Sequence, residues 1–93
     1  MKHLITYRNG NATQVRHITP EIIKRFTGGK VIITAIDHDR DHQYRSFNLA
    51  QIITINPTKL VEDMVAGGAK AVGFHGKMPT LADFEELLKS LKN

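Results

Sequence analysis

The chain has 93 residues and a formal net charge of +4, a length that allows one domain with one modest hydrophobic core. It contains no cysteine, which excludes disulfides, thiolate metal sites and a catalytic thiol. Its longest apolar-leaning segment, residues 31–36, is far too short to cross a membrane or to form the core of a signal peptide. We therefore predict a single cytoplasmic domain over residues 1–93, without membrane association.

The positive charge is concentrated in the N-terminal third. Residues 1–36 carry six Lys or Arg against one Glu, a balance of +5, whereas residues 37–93 carry seven against eight, a balance of −1. This asymmetry indicates an anionic partner, although a small basic domain is also a common outcome of solubility alone.

The first predicted element is a β-hairpin. Two runs rich in β-branched residues flank Asn9-Gly10, a dipeptide in which both residues tolerate positive φ. We expect strands at about 3–8 and 12–19. Residues 20–28 fit either one helical turn or an irregular extended stretch, and the pattern does not decide between them.

Three more strands follow. Residues 30–38 form the most apolar strand, which we expect to be central and covered on both faces. Residues 39–41 turn the chain back into a strand at 42–49, and residues 51–56 make a fifth strand. Five short strands in succession predict a small barrel over residues 1–56.

Two helices are predicted in the C-terminal extension, residues 57–93. In the first, Asn56 caps the start, Pro57 takes the first position and Gly67-Gly68 ends the helix. Its apolar stripe consists of Leu60, Val61, Met64 and Val65. The predicted fold class is therefore mainly β with C-terminal helices (α+β).

The second helix follows a glycine-containing connector. Thr80 and Asp83 form a near-capping-box, and apolar residues then recur at helical spacing. They are Leu81, Phe84, Leu87, Leu88 and Leu91. This stripe covers the barrel or docks a partner protein. The connector, residues 67–77, lacks the Lys-Ser/Thr of a phosphate-binding loop, because Phe74-His75 stand in their place, so we interpret it as flexible.

Four segments in order, "ITYRNG", "RHITP", "GGKVIITAID" and "YRSFNLAQI", resemble the WYL domain, an Sm-like/SH3-like barrel of bacterial and phage transcription regulators. The resemblance covers residues 4–55. Val31-Ile32-Ile33 replaces the Trp-Tyr-Leu strand, and Gln51 stands where the family usually has a second Arg. The matching positions are Tyr7, Arg16, Pro20, Arg45, Phe47, Leu49 and Ile52.

The resemblance implies a non-catalytic regulatory domain that binds a nucleotide or single-stranded nucleic acid. Arg45 would anchor the anion, supported by Arg16, and Tyr7 or Tyr44 would stack on a base. No cofactor is implied. Since the usual helix-turn-helix is not seen, we expect such a domain to act with a separate DNA-binding or regulatory protein.

The residues also permit plainer interpretations. Arg45 shares the apolar face of its strand and could simply pair with Asp37 or Asp41 of the neighbouring strand. The whole domain could instead be a protein-interaction module that uses a strand edge or the last helix.

A catalytic or metal role is not predicted. The cluster "DHDRDH" at residues 37–42 holds ligand types for a divalent ion, but Arg40 would repel a cation, so a solvated hairpin tip is favoured over a weak metal site. His17 lacks a nucleophile and an orienting partner in any recognisable motif. We therefore predict no enzyme and no metal.

Overall fold

The computed structural model describes residues 1–92, and Asn93, the last residue of the predicted helical extension, lies outside them. One sheet and two helices form the molecule. The elements are β1 (His3–Asn9), β2 (Ala12–Arg25), β3 (Val31–Asp37), β4 (Gln43–Asn48), a 3₁₀ turn (Leu49–Gln51), β5 (Ile52–Thr54), α1 (Pro57–Ala66), β6 (Lys70–Val72) and α2 (Leu81–Lys92).

The sheet has the strand order β4-β3-β2-β1-β5, with β6 added beside β2. All neighbours are antiparallel except β6, which runs parallel to β2. Within residues 1–92, β4 and β5 lie at opposite ends of this order and do not pair with each other. The mainly β class with a C-terminal helix is confirmed. The predicted count of five strands is wrong, and the sheet is open where a closed barrel was expected.

β2 is the central strand and runs well beyond the predicted boundary. Residues 20–25, which the sequence left undecided, continue it as a strand. The register against β3 shifts between Pro20 and Ile22, because proline lacks an N–H and is tolerated in a sheet at such a bulge. β1 pairs with residues up to Ile18, and β3 pairs from Ile18 onward. β2 therefore joins the two halves of the sheet.

The β1–β2 hairpin forms where the sequence predicts it. Asn9 faces Ala12 across the turn, and Gly10 has a φ of 64°. A two-residue hairpin loop needs positive φ, which glycine adopts without steric strain.

The hydrophobic core lies on one face of the sheet, here called the inner face. Val31, Ile33 and Ala35 of β3 are buried there, whereas Ile32 and Ile36 on the outer face are only half-buried. The helices contribute Leu60, Met64 and Phe84 to the same core: α1 lies against β1 and β2, and α2 lies against α1 and the 3₁₀ turn. As expected, β3 lies inside the sheet, between β4 and β2. The expectation that it is covered on both faces is wrong, because its outer face is only half-buried.

α1 begins as predicted. The Asn56 side chain accepts a hydrogen bond from the backbone N–H of Lys59 at 3.1 Å, which satisfies one of the free donors of the first turn. Leu60 and Met64 of the predicted stripe are buried, but Val65 is exposed and the charged Asp63 is buried instead.

Asp63 is paired with a histidine from the sheet. Its Oδ2 lies 3.4 Å from Nδ1 of His3, and its Oδ1 lies 3.0 Å from Nζ of Lys59. His3 is itself buried. Burial penalises the charged imidazole and lowers the pKa of His3, an effect that outweighs the opposing attraction of Asp63. This contact attaches α1 to β1.

α2 starts at the predicted capping box. The backbone N–H of Thr80 donates to the Asp83 carboxylate and that of Asp83 donates to the Thr80 hydroxyl, both at 3.2 Å. Phe84 is fully buried, and Leu87 and Leu88 pack partly buried against the core.

The connector before α2 contains structure that was not predicted. Residues 70–72 form β6, so the interpretation of residues 67–77 as a flexible connector is wrong. The predicted helix stop at Gly67-Gly68 is confirmed, since α1 ends there and Gly68 has a φ of 69°.

We expect acid to destabilise the fold through His3. Because folding lowers the pKa of His3, the unfolded chain takes up the proton more readily, and the free energy of unfolding falls as the pH drops below about 6.5. Urea denaturation at several pH values around this pH measures the effect. His3→Gln should flatten the dependence, whereas Val65→Ala, at an exposed helix position, should leave it unchanged. Equal pH dependence in wild type and His3→Gln would contradict the assignment.

We also expect α2 to be part of the folding unit. Deleting residues 80–93 removes Phe84 and exposes the apolar side chains that it packs against, so the truncated chain should unfold or aggregate. Phe84→Ala tests the same packing with a smaller change and should lower the free energy of unfolding by about 3–5 kcal/mol. Val65→Ala, at an exposed helix position, is the matched control. If the truncated chain instead melted cooperatively, α2 would not be needed for folding and would be available to bind a partner protein in the full chain.

Candidate functional site

Three of the four residues predicted to bind a ligand meet at one end of the inner face. In the β1–β2 register Tyr7 faces Gln14, and Arg16 is two residues further along β2 on the same face. In the β3–β4 register Arg45 faces Ala35. The alternation of side chains along these strands therefore brings Tyr7, Arg16 and Arg45 together beside Asp37, an arrangement we call the rim cluster.

Asp37 is the centre of the rim cluster. Its side chain is fully buried, and its Oδ2 lies 3.4 Å from Nε of Arg16 and 3.8 Å from Nε of Arg45. Its Oδ1 accepts a hydrogen bond from the backbone N–H of Asp39 at 3.0 Å. Of the two pairings that the sequence left open for Arg45, the one with Asp37 is confirmed. A buried carboxylate is stable only when cations or donors surround it in this way.

Arg16 has a structural role in this cluster. Its guanidinium donates to the backbone carbonyl of Val15 at 3.0 Å and to the side-chain oxygen of Gln14. It also lies over the ring of Tyr7, 5.9 Å from the centroid. Only 12% of its side chain is exposed. Both of its terminal nitrogens therefore already donate a hydrogen bond inside the protein.

Arg45 differs from Arg16 in that its outer nitrogens are available. Its side chain is 37% exposed, and within residues 1–92 its two terminal nitrogens make no hydrogen bond. The cluster as a whole contains two guanidinium groups and one carboxylate, an excess of one positive charge. A planar guanidinium in this state presents a fork that matches a phosphate or carboxylate.

Neither tyrosine can stack on a ligand at this position. Tyr7 is only 7% exposed, its hydroxyl donates to Gln14 at 3.0 Å, and its ring meets that of Phe47 edge to face at 5.1 Å. Tyr44 is 67% exposed but points to the opposite face of β4 from Arg45. The structure thus brings Tyr7 into the cluster as a packed residue and leaves Tyr44 outside it.

The Asp/His turn at residues 37–42 is bound to β2 as well as exposed to solvent. The Asp39 carboxylate accepts from the backbone N–H of His17 at 2.7 Å and lies 3.1 Å from its ring Nδ1. These bonds to His17 lower the pKa of Asp39. His38 contacts the Thr19 hydroxyl at 2.6 Å. In the described part of the chain no three carboxylate or imidazole groups come close enough together to hold a metal ion.

The burial of Asp37 was the main omission of the sequence analysis. That residue was considered as a partner of Arg45 and as part of a solvated turn, although it falls at the end of the alternating inner positions that begin at Val31. An acidic residue in register with buried apolar positions is a recognisable signal that a cation lies opposite.

Comparison of the chain with protein-family models, curated proteins and solved structures found no match. None of the helices within residues 1–92 has the length and apolar character needed to span a lipid bilayer.

We expect Asp37→Asn to destabilise the protein strongly. The substitution keeps an oxygen for the Asp39 N–H but removes the charge between Arg16 and Arg45, leaving two guanidinium groups beside each other. Removing one partner of a buried ion pair typically costs about 3–5 kcal/mol, and the exposure of Arg45 places the effect near the lower value. Asp41→Asn, at an exposed turn position, serves as the control. Identical urea midpoints for the two variants would show that the charge of Asp37 does not stabilise the fold.

Proposed function

We propose that this chain is a non-catalytic regulatory domain that binds an anionic ligand, a nucleotide or the phosphate backbone of single-stranded nucleic acid, through Arg45. The observation that supports the proposal is that Arg45, beside the buried Asp37, has two terminal nitrogens that make no hydrogen bond within residues 1–92. The Asp37 carboxylate attracts the guanidinium of Arg45 at an ion-pair distance of 3.8 Å from Nε, while 37% of the Arg45 side chain stays exposed.

The charge of the rim cluster supports an anion as its ligand. Two guanidinium groups face one carboxylate, and a phosphate oxygen would neutralise the remaining charge. Arg16 contributes through its charge more than through contact, because its nitrogens already donate to Gln14 and Val15. Since no exposed aromatic ring lies in the cluster, a phosphate group is a better match than a stacked base.

The strand order also agrees with the proposed relationship to WYL-like domains. A sheet ordered β4-β3-β2-β1-β5, with a long bent β2 and a 3₁₀ turn between β4 and β5, is compatible with an SH3-like barrel that is open at one side. We therefore propose that this chain is a WYL-like domain and that its partner is a separate DNA-binding or regulatory protein.

A second candidate is a protein-interaction module, and one observation favours it. β4 ends the sheet order, so in the described residues its outer backbone edge is open to a partner strand. The last helix is less suited to this role, since its central Phe84 is buried within this chain.

The proposal is tested by measuring affinity and stability together. We expect Arg45→Ala to weaken binding of ATP or a labelled oligothymidylate by about 10- to 100-fold, the loss typical of a charge-assisted contact. The fold should survive, because Arg16 still pairs with Asp37. Arg45→Lys should be intermediate, since it keeps the charge but loses the fork.

Arg8→Ala is the matched control, because Arg8 is an exposed arginine on the other face of the sheet. Binding through the rim cluster should also weaken steeply with added salt, whereas strand addition at β4 should not. A large loss of stability with unchanged affinity in Arg45→Ala would overturn the proposal.

A further inference from the structure

A cleft lies where the end of β2, the segment after β6 and α2 meet. Its volume is about 630 Å³, within the range of roughly 300–1,000 Å³ found for sites that hold small ligands. It shares no residue with the rim cluster. Its apolar lining comes from Phe74, Met78, Pro79 and Leu87.

One wall of the cleft is basic and firmly held. Arg25 donates from Nε to the Gly73 carbonyl at 3.0 Å, and its guanidinium lies 4.7 Å from the centroid of the Phe74 ring. Gly73 allows this close approach, because a Cβ at that position would overlap the carbonyl oxygen of Arg25. The wall therefore presents a fixed cation on an aromatic surface, with Lys77 beside it.

The turn that shapes this wall contains a strained residue. His75 has a φ of 57°, in the left-handed region that non-glycine residues seldom adopt, and Gly76 next to it has a φ of 76°. The backbone N–H of Lys77 donates to the Phe74 carbonyl at 3.1 Å and closes the turn. Strain of this kind persists where the surroundings hold it, and it is common at ligand-binding sites.

The part of the lining that comes from α2 contains two acidic residues. Asp83 and Glu86 both line the cleft. Asp83 is occupied by the capping box with Thr80, whereas Glu86 has no partner within residues 1–92. No ion pair within 4.0 Å joins Arg25 or Lys77 to either carboxylate in this part of the chain. Opposite charges thus line the same cleft as the apolar side chains without pairing with each other in this part of the chain.

We propose that this cleft binds a short apolar peptide by its two free termini. The peptide carboxylate pairs with Arg25 and Lys77, the ammonium group pairs with Glu86, and the apolar side chains pack on Phe74 and Leu87. A zwitterion offers a partner both to the basic side chains and to Glu86. A simple anion would instead be repelled by Glu86, and a simple cation would be repelled by Arg25 and Lys77.

The experiment uses leucyl-phenylalanine as the probe and the same dipeptide with an acetylated amine and an amidated carboxylate as its control. Amide chemical shifts of the full chain are followed in a titration. We expect the uncapped dipeptide to shift the amides of Phe74, His75 and Glu86 in a saturable way, and the capped form to bind at least about tenfold more weakly, because it lacks both charges.

Glu86→Gln should weaken binding of the uncapped dipeptide by about tenfold, while Glu85→Gln, the neighbouring exposed carboxylate outside the cleft, should leave it unchanged. Both substitutions are at exposed positions and should preserve the fold. Absence of saturable shifts, equal affinity for the capped dipeptide, or equal effects of the two substitutions would overturn the proposal. The Arg45 variants do not enter this test, so its outcome is independent of the proposed function of the rim cluster.

Discussion

The burial of the Asp37 carboxylate is the constraint on which much of the sheet depends. A charge at that depth requires cations nearby, and they come from the strands on either side, Arg16 from β2 and Arg45 from β4. A slip of one residue in β4 would turn Arg45 to the outer face and Tyr44 inward. The ion pairs therefore penalise alternative registers while the apolar residues supply the stabilising burial.

The same constraint decides which basic residues are available for binding. Of the N-terminal cations, Arg16 is committed to Asp37 and Gln14, although net charge alone would count it as free. Arg45 keeps its outer nitrogens because it approaches Asp37 from the edge strand, and this difference in position separates a structural arginine from one suited to a ligand.

Features determined by short stretches of chain were predictable from the sequence. The hairpin turn that follows Asn9, the Asn56 cap and the capping box at Thr80 all form within the expected segments. The mainly β class was predictable in the same way, whereas the grouping of Arg16 with Arg45 was expected only from the resemblance to WYL domains and not from strand alternation. Each of the predictable outcomes depends on backbone preferences or side-chain periodicity within a few residues.

Other features depended on contacts between distant segments, and only the tertiary structure decided them. β6 exists because it pairs with β2, Val65 is exposed because Asp63 turns inward to His3, and Tyr7 is buried because Phe47 and Gln14 enclose it. Periodicity shows which residues share a face but not what lies opposite that face. The sequence by itself therefore determined the elements and their inner sides, while the tertiary structure decided which charges were paired and which remained open to a ligand.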